Sequence, residues 1–188
     1  MLNPDFNILA KNDGFSKILL DALDKIGKTE TVKQGTVIIN DKVKTDTFFV
    51  IVEGIFKTVK KVNEQEYIVC FTFNGDIDGD PLVFMDPPSQ YYELIAVVDS
   101  VIILFDWPSL KNEIGEDIFN RMLSHYLLKY IQFLQVRVVE NITLNAEERY
   151  RILVQQNPKQ SLEIPLLDLA AYLGITPQSL SRIRATKT

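Results

Sequence analysis

One cysteine, Cys70, and one histidine, His125, are all the sequence holds of either residue. That scarcity excludes an internal disulfide, a multi-cysteine zinc site and a four-cysteine iron–sulfur cluster within one chain. No nucleophile–base pair can be assembled from one thiol and one imidazole in unrelated segments, and the carboxylates show no partner pattern, so the chain is not read as an enzyme. Long apolar runs are also missing. Nothing is long enough to span a bilayer, and Met1 to Phe6 offers no basic leader followed by an apolar stretch, so a cytoplasmic protein without a membrane partner is expected. Arginine is absent before Arg121, and no Lys, Arg or His occurs between Val62 and Leu110.

What is present suits a folded protein. A hydrophobic share of 46% with 24% charged residues lies far from disordered and membrane compositions. A length of 188 residues allows one sizeable domain and a small one. The net charge of -5 is unevenly spread. From Asn145 onward Arg149, Arg151, Lys159, Arg182, Arg184 and Lys187 outnumber Glu147, Glu148, Glu163 and Asp168, which leaves a basic tail on an acidic body.

Apolar residues at helical spacing from Phe15 to Ile26, closed by Gly27, predict a short helix. Between Thr31 and Phe105 brief runs rich in Val, Ile, Phe, Thr and Tyr are broken by glycines. They predict strands near Thr36–Ile39, Thr47–Val52, Ile55–Val62, Tyr67–Phe73, Tyr92–Val97 and Val101–Phe105 in an antiparallel sandwich or barrel. Turns are expected at Asn63 to Gln65 and Asp86 to Ser89. A helical region opens at Trp107, and from Asp117 to about Asn141 neither Gly nor Pro interrupts a helix about 35–40 Å long. It carries two apolar stripes. One runs through Leu123, Leu127, Ile131, Leu134 and Val138 and suits a second copy of the helix; the other, through Met122, Tyr126, Tyr130 and Phe133, suits the β-domain. Asn145 with Glu147 and Glu148 starts a further helix, ended by Asn157 and Pro158.

Two short helical patterns flank Gly174: Leu166, Leu167, Ala170, Ala171 and Leu173 before it, Leu180 and Ile183 after it. Gly174 can take a positive φ, Thr176 can cap the second helix and Pro177 fits its first turn, which is the chemistry of a helix-turn-helix. Thr176, Gln178, Ser179, Ser181, Arg182 and Arg184 are then candidate DNA-contacting residues, since they can hydrogen-bond to base edges or phosphates. An αα-hairpin with a solvated polar face is the alternative.

The run Asp46-Thr47-Phe48-Phe49-Val50-Ile51-Val52-Glu53-Gly54 resembles the strand leading into a glycine in the Crp/Fnr regulators. The segment Gly75-Asp76-Ile77-Asp78-Gly79-Asp80 resembles that family's Gly-Asp-x-x-Gly-Glu, and the order of roll, long helix and helix-turn-helix matches as well. The resemblance implies a mainly β jelly roll of the cyclic-nucleotide-binding type over residues 1–116, a dimerisation helix over 117–144 and a helix-turn-helix DNA-binding domain over 145–188. Because the chain stops at Thr188, most of the usual wing is expected to be lacking. It further implies a homodimeric transcription regulator that reads a palindromic site in double-stranded DNA, with RNA polymerase as a further partner. Gln178 and Arg182 fall at the family's base-contacting positions, whereas Pro177 stands where a basic residue is common.

The same resemblance places an effector pocket at Gly79, Asp80, Tyr91, Tyr92 and Ile131, but the arginine that holds the phosphate of a cyclic nucleotide is missing; Tyr91 is near its place. The charged residues from Val62 to Leu110 are all acidic: Glu64, Glu66, Asp76, Asp78, Asp80, Asp86, Glu93, Asp99 and Asp106. A desolvated phosphate there would cost several kcal/mol. Cyclic AMP is therefore not expected as effector; an unknown cationic or neutral ligand, or none, fits better. No cofactor or metal is expected. The alternating Asp76, Asp78 and Asp80 read as a turn rather than an ion site, His125 as a satisfied or solvated side chain rather than a haem ligand, and Cys70 as a buried small hydrophobe. The competing reading is a ligand-binding or interaction module of the same fold that no longer binds DNA.

Overall fold

The computed structural model describes residues 14–39, 46–63, 65–84 and 92–185. Helix α1 (Gly14–Ile26) ends where the Gly27 N–H donates to Leu23 O at 2.8 Å. Among the described residues eight strands follow: β1 (Lys28–Val32), β2 (Val37–Ile39), β3 (Thr47–Glu53), β4 (Phe56–Val62), β5 (Gln65–Thr72), β6 (Ile77–Gly79), β7 (Glu93–Ala96) and β8 (Ser100–Asp106). They form two four-stranded antiparallel sheets, ordered β1-β8-β3-β6 and β2-β7-β4-β5.

The space between the sheets is filled by Val32, Ile39, Phe49, Ile51, Phe56, Leu94, Ala96 and Ile102, with the Phe49 and Phe56 rings 5.0 Å apart. Successive side chains of a strand point to opposite faces, so Phe48 and Val50 of β3 point the other way and pack with Leu19, Leu23, Phe105, Leu110 and Phe119. Being covered on both faces explains why β3 reads as a continuous apolar run rather than an alternating one. Gly54, at φ +135°, closes the strand where a Cβ would overlap the side chain of Ser100. Gly79 lies against Phe48 with no room for a Cβ.

Helix α2 (Trp107–Ile114) is capped by Asp106, whose Oδ1 accepts from the Ser109 N–H at 2.8 Å. Helix α3 (Glu116–Thr143) spans 28 residues, or about 42 Å. Its N-terminal half buries Phe119, with Met122, Leu123 and Tyr126 beside it, against the first sheet and α2. Helices α4 (Ala146–Gln156), α5 (Gln160–Glu163), α6 (Leu166–Leu173) and α7 (Pro177–Ala185) follow. The Asn145–Glu148 pair forms a reciprocal capping box, each side chain bonded to the other's backbone N–H.

Four elements escape the sequence reading, one of them the short 3-10 helix at Pro81–Phe84. Strand β1 is Lys-Thr-Glu-Thr-Val with only Val32 buried, so its pairing to β8 has no apolar signature. Strand β6 lies between Asp76 and Asp80, where the acids suggest a turn; it pairs Ile77, Asp78 and Gly79 with Val50, Phe49 and Phe48. Helix α5 is one turn long. The turn expected at Asp86 to Ser89 lies outside the described residues, whereas Asn63 takes the positive φ of a hairpin turn, +50°.

Candidate functional site

The turn between α6 and α7 is specified locally. Gly174 adopts the left-handed conformation (φ 69°, ψ 32°) at the C-cap of α6, and the Ile175 N–H returns to Ala170 O at 3.0 Å. Thr176 Oγ1 accepts from the Ser179 N–H at 3.2 Å and lies 3.0 Å from Ser179 Oγ. Leu180 is fully buried against Leu169 and Leu173, which fixes the roll of α7 about its axis. Gln178, Ser181 and Arg182 are thereby exposed, and Ser179 is half-buried. Arg184 differs: its guanidinium sits over the Tyr150 ring, 5.9 Å from the centroid, with Nε and Nη2 buried without a hydrogen bond. Thr176 is exposed while it caps α7.

The helical module rests directly on the roll. Ile55, Phe71, Phe73 and Val97 share one buried cluster with Tyr150, Leu153, Ile164, Leu169, Leu173 and Leu180. Lys57 Nζ of β4 reaches Asp168 Oδ1 of α6 at 2.8 Å, an ion pair only 17% and 22% exposed. The Phe71 and Tyr172 rings meet at 5.1 Å, tilted by 58°, and the Arg137 guanidinium of α3 lies 4.3 Å from the centroid of the Tyr172 ring. Arg137 Nη1 is also 3.8 Å from Glu140 Oε2, and Arg149 Nη2 donates to Leu173 O at 2.7 Å.

Between roll, α3 and helical module lies a cavity of about 590 Å³. Asp78 Oδ2 accepts from Thr72 Oγ1 at 2.7 Å and Oδ1 from the Gly79 N–H at 2.8 Å. Burial nevertheless pushes the Asp78 carboxyl up to about 6, with the charge of Asp80 adding to the rise. Burial likewise lifts the Cys70 thiol to about 12 and the phenols of Tyr126, Tyr130 and Tyr172 above their ordinary range. Cys70, expected as a buried small hydrophobe, is only half-buried; it borders the cavity, with its Sγ 3.2 Å from Thr58 Oγ1.

Of the residues expected at an effector pocket, Gly79, Asp80 and Tyr92 border this cavity. Tyr91 lies outside the described residues. Ile131 does not border the cavity and is 50% exposed. Sequence reasoning missed Arg137, Arg149 and Tyr172, which three different helices bring to the cavity. One signal was available: Arg137 is the sole charged residue between Tyr130 and Val139. On α3, Leu123 packs with the core, while Leu128, Ile131, Leu134, Val138, Val139 and Ile142 are 37–78% exposed. Among the described residues no helix is long and apolar enough to cross a membrane.

Residues 29–117 match the cyclic nucleotide-binding domain family. No curated protein matches the chain. Among solved structures, the chain is similar to FixK2 from Bradyrhizobium japonicum, at 19% identity over 86% of this chain and 84% of that one, with a TM-score of 0.73. It is similar to a mutant of CooA from Carboxydothermus hydrogenoformans, at 15% identity over 96% and 86% of the two chains and a TM-score of 0.66. A putative transcriptional regulator of the Crp/Fnr family from Eubacterium rectale is 15% identical over 98% and 87%, with a TM-score of 0.63. The roll, the long helix and the helical module therefore share the fold of these proteins.

Proposed function

We propose that the chain is a DNA-binding transcription regulator of the Crp/Fnr type, in which the roll senses, α3 dimerises and α6–α7 reads a palindromic site. One observation carries the reading: a locally capped turn presents Gln178, Ser181 and Arg182 on one open face of α7 while Leu180 is sealed beneath. Arg182 suits bidentate contact with guanine O6 and N7 in the major groove. The exposed apolar face of α3, from Leu128 to Ile142, supports a second copy as its cover, since such a face left in water would lose burial worth about 25 cal/mol per Å². Cyclic AMP is not the effector in this reading. Its phosphate would meet Asp76, Asp78 and Asp80 where they border the cavity, and the roll itself supplies no arginine.

Selection from a random duplex pool tests the reading. The wild-type protein should enrich an inverted repeat with half-sites about one helical turn apart, and Arg182→Ala should lose that enrichment while retaining the fold. Enrichment of no sequence, or equal enrichment by the variant, would favour an interaction module that no longer reads DNA. Calorimetric titration of cyclic AMP addresses the effector, and micromolar binding would defeat the claim.

A further inference from the structure

The cavity touches both functional parts at once. Asp78 and Asp80 of the roll, which are 9% and 5% exposed, border it, and so do Tyr172 of α6 and Arg149 of α4. Tyr92, Tyr126 and Tyr130 border it too. The two arginines that border the cavity are engaged by the protein: Arg137 with the Tyr172 ring and Glu140, Arg149 with Leu173 O and Asn141 Oδ1. A volume of about 590 Å³ suits a small organic molecule.

Aromatic faces and buried carboxylates attract the same kind of guest. A ring quadrupole is negative on its face and draws cations, more strongly when water is excluded. Two carboxylates held close together out of water disfavour a second anion and are relieved by a positive charge. Resting on the reading of the chain as sensor and reader, we propose that this cavity binds an organic cation, an ammonium or amidinium on an aromatic body, with its charge beside Asp78 and Asp80 and its body extending to Tyr172. The bound molecule then touches α6 directly, and its signal need not travel along α3 alone. Tyr172 stands one residue before the end of α6, so a shift of its ring moves the helix that carries the Gly174 turn.

Calorimetry on the full chain, without DNA, tests this with three probes that share a ring: phenethylamine, phenylacetate and 2-phenylethanol. Phenethylamine should bind at least about tenfold more tightly than phenylacetate, equivalent to about 1.4 kcal/mol. Asp80→Asn should reduce the amine to the affinity of the alcohol, and Tyr172→Leu should weaken it about tenfold, whereas Tyr172→Phe should leave it unchanged. Phenylacetate binding as tightly as the amine, or no amine binding at millimolar concentration, overturns the site. Unchanged affinity in Tyr172→Leu overturns the contact with α6. Should Asp80→Asn fail to fold, the charge preference of the wild-type protein decides by itself. A chain that prefers the amine yet selects no DNA keeps this site and loses the regulator reading; one that selects DNA and prefers phenylacetate does the reverse.

Discussion

The two halves of α3 are packed by opposite means. In the first half the inward side chains are apolar: Phe119 is buried, its ring 6.0 Å from Trp107, and Tyr126 meets Phe48 edge-on at 6.1 Å. In the second half the inward side chains include the charged pair Arg137 and Glu140, 13% and 9% exposed, while Ile131, Val138 and Ile142 face water at 50%, 57% and 78%. Helices that finish their packing within one chain put apolar residues inside and charges outside. Leu128 apart, the first half obeys that rule and the second inverts it, as the proposed contact with a second copy would require.

The largest effect expected from breaking this contrast lies in the first half. Phe119→Ala removes a buried ring and should cost about 3–5 kcal/mol, read as a lowered midpoint in urea. A loss below about 1 kcal/mol would mean that the first half is no better fixed than the second. Midway along α3, Tyr126 and Tyr130 border the cavity that Asp78 also borders. The Asp78 carboxyl titrates near 6 in the fold, chiefly because it is buried, against an ordinary value of 3.8. The unfolded chain loses this proton first, so the group's contribution to stability falls as pH rises from 3.8 to 6 and stays low above that. Asp78→Asn should therefore stabilise the protein at pH 7.5 by about 2–3 kcal/mol and by almost nothing at pH 4. Melting curves at the two pH values check the sign, and an equal gain at both would refute it. The smallest effect on the single chain belongs to the outer face. Val138→Asp should change folding stability by less than about 0.5 kcal/mol, yet in sedimentation it should convert a dimer to a monomer.

Much of this architecture was legible because its causes are local. Gly174, Thr176 and Pro177 specify the turn within four residues, and Asn145 with Glu148 announces the start of α4. The central strands β3 and β8 were legible from their apolar runs. Strand β1 was not, because its register with Ser100 to Leu104 is set by backbone pairing while its side chains mostly face water. The candidate site was half legible for a related reason. Gly79, Asp80 and Tyr92 belong to the roll and its characteristic segment, whereas Arg137, Arg149 and Tyr172 meet only when three helices pack onto it. Tyr126, Tyr130 and Phe133 were placed on the side of α3 facing the β-domain, and they do line that side; that they also line a cavity depends on packing that helical spacing cannot express.

The buried cluster shared by roll and helical module makes the roll hard to transplant. A fragment ending near Leu144 would uncover Ile55, Phe71, Phe73 and Val97, now 1–8% exposed, as an adhesive patch beside the stranded charge of Lys57. Anyone grafting this roll onto a different output domain would have to repaint that patch with polar residues or carry α4 to α7 along with it.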